Sequence, residues 1–193
     1  MDVLLVAAVV EELEGQAGHA LGVGMVRAAA RMARLLEVHR PARVVLVGTA
    51  GAYPVAGAPR IGEVVTASSV ALGSGTAALG RGYVPQAPPP IPAVPAGGLP
   101  AHAVLCCTAI TSDVDLAVAL GIHATVEHME AYGVALACQD AGVPFCAVLA
   151  VTNIVGPDAH AQWKANRAEA QAAAVRATVA GFALEDARPP DAT

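Results

Sequence analysis

A nearly continuous apolar run at residues 145–151 is the feature that most constrains the fold of this chain. Gly142 and Pro144 precede the run, and Thr152 and Asn153 follow it. Such a run is typical of a strand that is covered on both faces, as in α/β proteins with helices on either side of a sheet. Open α/β sheets bind ligands at the carboxyl ends of their strands, so Thr152 and Asn153 are candidates for a binding site.

The residues before this run predict a helix with an acidic start. Glu127 and Glu130 are three residues apart, so the spacing predicts that they share one face of the first turn, where the helix dipole favours anions. Gly142 and Pro144 would end the helix. Its packing positions would be Val126, Met129, Val134, Ala137 and Cys138.

The rest of the chain continues this alternation of strands and helices. Further strands are predicted at 3–9, 43–48, 62–68 and 102–108, and further helices at 25–36, from the capping sequence 112–115 to Gly121, and at 158–184. The many prolines and glycines of residues 84–100 predict a long loop, and residues 186–193 a flexible tail. The order of elements predicts one α/β domain over residues 1–185.

Composition excludes several classes of function. A net charge of -5 without a basic patch argues against nucleic acid as a partner. No apolar run reaches the roughly 18 residues of a membrane span, and the N-terminus is interpreted as a buried strand and not a signal peptide. The 4 cysteines are then expected to be reduced core thiols of a cytoplasmic protein.

Four groups of polar residues and glycines lie at predicted strand ends or helix starts. They are Glu11–Glu12, residues 22–25, residues 48–52, and the set of Glu127, Met129, Glu130 and Asn153. Each also has a structural interpretation: a first-turn acid, a turn, a strand-to-loop bend, a solvated face or a helix cap. The histidines lack metal-ligand spacing, so we expect no metal and no cofactor.

The order of these motifs resembles the nucleoside phosphorylase/nucleosidase superfamily from Val3 to about Ala173. The resemblance depends on the sequences LGVGMVRAA at 21–29, VGTAG at 47–51, IGEVV at 61–65, VEHMEA at 126–131, and the strand from Val143 to Asn153. It implies a three-layer α/β/α domain with a central mixed twisted sheet. It also implies a nucleoside substrate and a homo-oligomer, either a dimer or a tetramer.

The resemblance also implies roles for individual residues. Glu12 matches the acid that orients or deprotonates water, and Asn153 matches the residue that faces the purine, so both are expected to be catalytic. Glu130 matches the acid that binds the ribose hydroxyls, with Met129 packed on the sugar. The full set of implied substrate contacts is Thr49, Ala50, Gly51, Glu127, His128, Met129 and Glu130.

Two departures from related sequences bear on the reaction. Adenine-releasing members carry Asp where this chain has Asn153, and an amide, which donates N–H to one acceptor and accepts from a ring N–H, suits a 6-oxopurine. Hexameric phosphorylases carry a phosphate-binding Arg where this chain has Leu46. Both departures favour hydrolysis of a 6-oxopurine nucleoside, although Arg27 and Arg60 could still supply a cation.

Within the superfamily the chain most resembles the futalosine hydrolase family. This closer resemblance depends on its short N-terminal half, on GAYP at 51–54, and on TNIVG at 152–156 followed by Asp158 and Trp163. It implies that the enzyme releases hypoxanthine from futalosine in menaquinone biosynthesis. The alternatives are another purine nucleosidase or phosphorylase, acting on inosine or methylthioadenosine, and a nucleoside-binding module without catalysis.

Overall fold

The computed structural model of the chain describes residues 2–182, which form eight strands and five α-helices. The strands are β1 (Val3–Ala7), β2 (His19–Ala20), β3 (Arg43–Ala52), β4 (Val64–Leu72), β5 (Ile91–Pro92), β6 (Ala101–Cys106), β7 (Val126–His128) and β8 (Phe145–Ile154). The helices are α1 (Met25–His39), α2 (Gly75–Ala78), α3 (Val114–Gly121), α4 (Ala131–Asp140) and α5 (Ala159–Phe182). A 3₁₀ helix at Val10–Leu13 follows β1.

The strands form one mixed sheet in the order β2-β1-β3-β7-β6-β4-β5, and β8 pairs with both β3 and β4. Strand β3 is parallel to β1 and β8, whereas β7 runs antiparallel to the end of β3 and β8 runs antiparallel to β4. Because β8 joins β3 to β4, the pairings of β3, β7, β6, β4 and β8 close into a ring.

Helices cover both faces of the sheet, which confirms the predicted three-layer α/β/α architecture. Helices α1 and α4 pack on one face, where Leu46 and Leu149 lie in their core cluster. Helix α5 packs on the other face, against Val47 and Val148. Neighbouring residues of β3 and β8 therefore enter opposite cores, which explains why both strands are apolar at almost every position.

The predicted helix start at residues 126–130 is wrong. Residues Val126–His128 form strand β7, which pairs with β6 and with the end of β3, and helix α4 begins only at Ala131. Glu127 and Glu130 therefore do not share a helical face. The ring of strand pairings is a tertiary constraint that overrides the local helical spacing.

Other boundaries differ by a few residues. Strand β1 ends at Ala7, two residues before its predicted end, and β3 continues past the predicted end at residue 48 to Ala52. The 84–100 loop contains the short strand β5, and its Ala96 N–H donates to the buried Thr66 hydroxyl at 3.0 Å. The predicted end of the last helix at residues 183–184 and the tail at 186–193 lie outside the described residues.

All 4 cysteines are buried and free, in agreement with the expectation of core thiols. Burial raises the pKa of the Cys106 and Cys138 thiols to about 12, which favours the neutral thiol. None of the helices within residues 2–182 has the length and apolar character needed to cross a membrane.

The close approach of α1 and α4 depends on Gly133. A Cβ at this position would overlap the backbone oxygen of Met25 and press on Ala29. We expect Gly133→Ala to destabilise the fold by about 1–3 kcal/mol, because the two helices must move apart. Urea unfolding measures this, with Gly181→Ala on the uncrowded side of α5 as control; equal stability of both variants would contradict the prediction.

Candidate active site

The Glu12 carboxylate lies at the junction of β1, β3 and the 3₁₀ helix, and its side chain is buried. Its Oε1 accepts hydrogen bonds from the Thr49 backbone N–H at 3.2 Å and from the Thr49 hydroxyl at 3.3 Å. Its Oε2 accepts from the Ala8 N–H at 3.2 Å. Gly48 has no Cβ, and one placed there would lie 3.2 Å from Oε1, so the glycine makes room for the carboxylate.

Burial raises the pKa of the Glu12 carboxyl above its ordinary value. A charge on His128 would lower this pKa, the Thr49 and Ala8 N–H groups lower it, and the charge of Glu130 raises it. A carboxylate with a raised pKa is a stronger base than one in water, so Glu12 is suited to accept a proton from a water molecule.

The Glu130 carboxylate lies between the N-termini of two helices. It immediately precedes α4, and its Oε1 accepts a 2.7 Å hydrogen bond from the N–H of Gly24, the residue that caps α1. Gly24 has a φ of 94°, a conformation that favours glycine. The positive ends of both helix dipoles stabilise this buried anion. The Gly-x-Gly sequence at 22–24 therefore binds a carboxylate of the chain itself.

A β-bulge presents Asn153 at the end of β8. The register between β3 and β8 shifts after Ala50, so that Gly51 pairs with Asn153 and Thr152 is the extra residue. The Thr152 hydroxyl donates to the Asn153 Oδ1 at 2.9 Å, and it also lies 3.2 Å from the Ala50 oxygen. A Cβ on Gly51 would lie 2.9 Å from the Asn153 Nδ2, so Gly51 makes room for the amide.

Neighbouring side chains in the segment 127–130 have different surroundings. Glu127 is buried on the Tyr53 side, where it accepts from the Tyr53 hydroxyl at 2.9 Å, from the Thr111 hydroxyl at 2.6 Å and from the Thr111 N–H at 3.1 Å. Its hydrogen bonds therefore hold two loops together. His128 lies beside Glu130, with Nδ1 and Oε2 3.3 Å apart, and Met129 is half-buried.

Tyr53 does not present its side chain to a ligand, because the residue is buried and its hydroxyl binds Glu127. Burial and the neighbouring Glu127 charge raise the pKa of this phenol far above its ordinary value. Trp163 stacks on His160, and both residues belong to α5.

A phosphate-binding site would need a cation near the end of β3. Leu46 is fully buried in the core beside α1 and α4, and Arg27 and Arg60 are exposed. An open groove of about 940 Å³ follows the outer side of α1 past Arg27 and reaches the site at Gly24. Within residues 2–182 no three His, Cys, Asp or Glu side chains are grouped to hold a metal ion.

The family of the chain follows from its sequence. A family model described as the phosphorylase superfamily matches residues 15–185, which is most of the chain. The chain belongs to the phosphorylase superfamily. Among curated proteins, none matches the sequence significantly.

Solved structures with the same fold include nucleosidases of two kinds. A 5′-methylthioadenosine/S-adenosylhomocysteine nucleosidase from Helicobacter pylori has a TM-score of 0.81 and 14% identity, over 94% of this chain and 97% of that one. Futalosine hydrolase of the same organism has a TM-score of 0.80 and 14% identity, with the same coverage. An S-adenosylhomocysteine nucleosidase from Streptococcus pyogenes has a TM-score of 0.79 and 20% identity, over 94% of this chain and 96% of that one. These similarities show the superfamily fold and do not distinguish between substrates.

Some contacts of the site had no signal in the sequence. The Ala8 and Gly24 N–H groups reach the two carboxylates through backbone atoms, which carry no residue-type signature. The bulge at Thr152 also has no signal in the sequence, because an extra residue in one strand can be recognised only from its pairing with the neighbouring strand. Gly22 and Gly24 did mark the α1 start as a site where backbone approaches closely, although the anion there is Glu130.

Glu12→Gln tests the burial of this carboxyl through stability. Because the folded-state pKa is raised, the stability that the native protein gains by holding the proton is fully present below the unfolded pKa and is lost as the pH rises through the folded pKa. We therefore expect the melting temperature of the variant, relative to that of the wild type, to increase from about pH 4 to about pH 7.

Glu11→Gln, at the exposed neighbouring position, is the control for loss of one negative charge. Thermal unfolding of the three proteins across the pH range gives the comparison. A difference between Glu12→Gln and wild type that stays constant with pH would contradict the proposed burial effect.

Proposed function

We propose that this protein is a nucleosidase that hydrolyses the N-ribosidic bond of a 6-oxopurine nucleoside. The observation that carries the proposal is a pair of buried carboxylates, Glu12 and Glu130, close enough for the charge of Glu130 to raise the pKa of Glu12. Each is held by backbone N–H groups, so each is fixed before substrate arrives. Cleavage of such a bond needs a base for water and negative charge near a sugar that becomes cationic.

In this proposal Glu12 orients a water molecule and takes its proton as the water oxygen bonds to the anomeric carbon. The C–N bond breaks, and its electron pair leaves with the purine. Glu130 accepts hydrogen bonds from ribose hydroxyls and stabilises the positive charge of the sugar. Met129 packs on the sugar, and Thr49, Ala50 and Gly51 line the site along β3.

Asn153 carries the proposed preference for the base. Because the Thr152 hydroxyl donates to Oδ1, the amide has its Nδ2 donors available for a ligand. In a 6-oxopurine both N7 and O6 are acceptors and match a donor. In adenine the 6-amino group is itself a donor, and it would compete with Thr152 for Oδ1. The amide and its neighbour thus favour hypoxanthine over adenine as the leaving group.

Futalosine is the specific substrate that we propose, with hypoxanthine and dehypoxanthine futalosine as products. Two observations support it: the resemblance of residues 51–54 and 152–156 to the futalosine hydrolase family, and the donor side of Asn153. Water and not phosphate is the proposed acceptor, because the position of the phosphate-binding cation is the buried Leu46.

The reaction is tested with futalosine, inosine and methylthioadenosine, each with and without phosphate, by following the release of free base. We expect futalosine to be cleaved at a rate that does not depend on phosphate. We expect Glu12→Gln to lower kcat by a factor of about 100 or more, because the amide cannot take a proton from water. Cleavage of inosine only in the presence of phosphate would identify a phosphorylase. Binding of nucleoside without turnover would identify a binding module.

Base preference is tested by Asn153→Asp. We expect the variant to gain release of adenine from methylthioadenosine by a factor of about 10 or more relative to release of hypoxanthine, because a carboxyl can donate a proton to the ring. Asn166→Asp is the matched control: this residue of α5 donates from Nδ2 to the Thr152 oxygen at 2.9 Å, beside the same bulge. An unchanged ratio in Asn153→Asp, or an equal shift in both variants, would contradict the assignment.

A further inference from the structure

His128 caps the start of α4 with one nitrogen of its ring. The side chain is buried, and its Nδ1 accepts hydrogen bonds from the N–H of Glu130 at 3.0 Å and from the N–H of Ala131 at 3.1 Å. These donors belong to the first turn of the helix, where no acceptor within the helix exists for them.

This contact fixes the tautomer of the ring. A nitrogen that accepts hydrogen bonds carries no proton, so the proton of the neutral imidazole is on Nε2. The 3.3 Å separation of Nδ1 from the Glu130 Oε2 would also fit an ion pair. Protonating Nδ1, however, would leave two backbone N–H groups without their acceptor in a buried place. The hydrogen-bond geometry therefore favours the neutral ring over the ion pair.

The opposite nitrogen is available to a ligand. Within residues 2–182 the hydrogen bonds of the ring involve Nδ1, and no fully buried side-chain nitrogen or oxygen lacks a partner. Nε2 is therefore not fully buried, although the residue as a whole is only 6% exposed. The 3.3 Å between Nδ1 and the Glu130 Oε2 places the His128 ring beside the carboxylate that we assign to the ribose hydroxyls.

We propose that His128 donates its Nε2 hydrogen to the oxygen of a ribose hydroxyl whose own hydrogen is donated to Glu130. The pairing uses both capacities of a hydroxyl, which donates one hydrogen bond and accepts others. It makes His128 a fixed neutral donor, and it assigns ribonucleosides over the corresponding deoxynucleoside as the substrate class. This inference rests on the proposed function, because it requires a nucleoside in the site.

Two variants separate the two nitrogens of the ring. In His128→Asn the Oδ1 can occupy the position of Nδ1 and accept from the helix, whereas nothing replaces Nε2. In His128→Gln the side-chain nitrogen reaches the position of Nε2, whereas the acceptor at Nδ1 is lost. We expect His128→Asn to keep the wild-type melting temperature and lose activity. We expect His128→Gln to melt at a lower temperature and keep more of the activity per folded molecule.

The decisive experiment compares the 6-oxopurine ribonucleoside that the wild type cleaves with its 2′-deoxy and 3′-deoxy analogues. We expect His128→Asn to lower kcat/KM for the ribonucleoside by a factor of about 10 or more. For the deoxy analogue that lacks the bound hydroxyl, the variant and the wild type should have equal kcat/KM. An equal loss on all three substrates, or no loss on the ribonucleoside, would overturn the inference.

Long-range proton–nitrogen NMR of the free protein provides a readout that does not depend on turnover. We expect His128 to show an unprotonated Nδ1 and a protonated Nε2 near neutral pH. A doubly protonated ring would overturn the role of His128 as a neutral donor while leaving the nucleosidase assignment intact. A wild type without turnover on any nucleoside would instead refute the proposed function, and the ribose contact with it.

Discussion

The candidate site depends on one hydrogen bond, from the Gly24 N–H to the Glu130 carboxylate at 2.7 Å. It joins the start of α1 to the start of α4, two segments that are far apart in sequence. The bond forms because Gly133 lets the helices approach to backbone contact and because Gly24 takes a positive φ. The buried anion in turn lies where both helix dipoles favour it. Packing and electrostatics therefore support the same arrangement.

The sheet supplies the rest of the site from neighbouring strands. Strand β3 brings Gly48 and Thr49 against Glu12 and, three residues later, brings Ala52 next to β7. Strand β7 is only three residues long, yet it closes the ring of pairings and sets the point at which α4 can begin. The carboxylates of Glu12 and Glu130 are thus held by backbone N–H groups before any ligand is present.

The sequence predicted the layers better than the local geometry of the site. The apolar run of β8 indicated a strand covered on both faces, and the helix predicted at residues 25–36 corresponds to α1. The helix predicted from Val126 was wrong. A spacing of three residues between Glu127 and Glu130 is compatible with a helix, but it is equally compatible with a strand followed by a turn. Glu127 consequently faces Tyr53 and Thr111, a partnership that no spacing rule could reveal. The hydrogen bond from Gly24 to Glu130 depends on tertiary packing and likewise had no signal in the sequence.

The bulge at Thr152 has a consequence for how such a site can diversify. Alternation along a strand normally ties every side chain to one of two cores, so a change in one position constrains its neighbours. The extra residue releases Asn153 from that alternation, and the released segment begins only after Val151 has paired with Ala50. Asn153, which we propose faces the base, can therefore be exchanged without repacking the strand that carries it. Under the proposed function, recognition of the leaving group is thus separated by one inserted residue from the stability of the sheet.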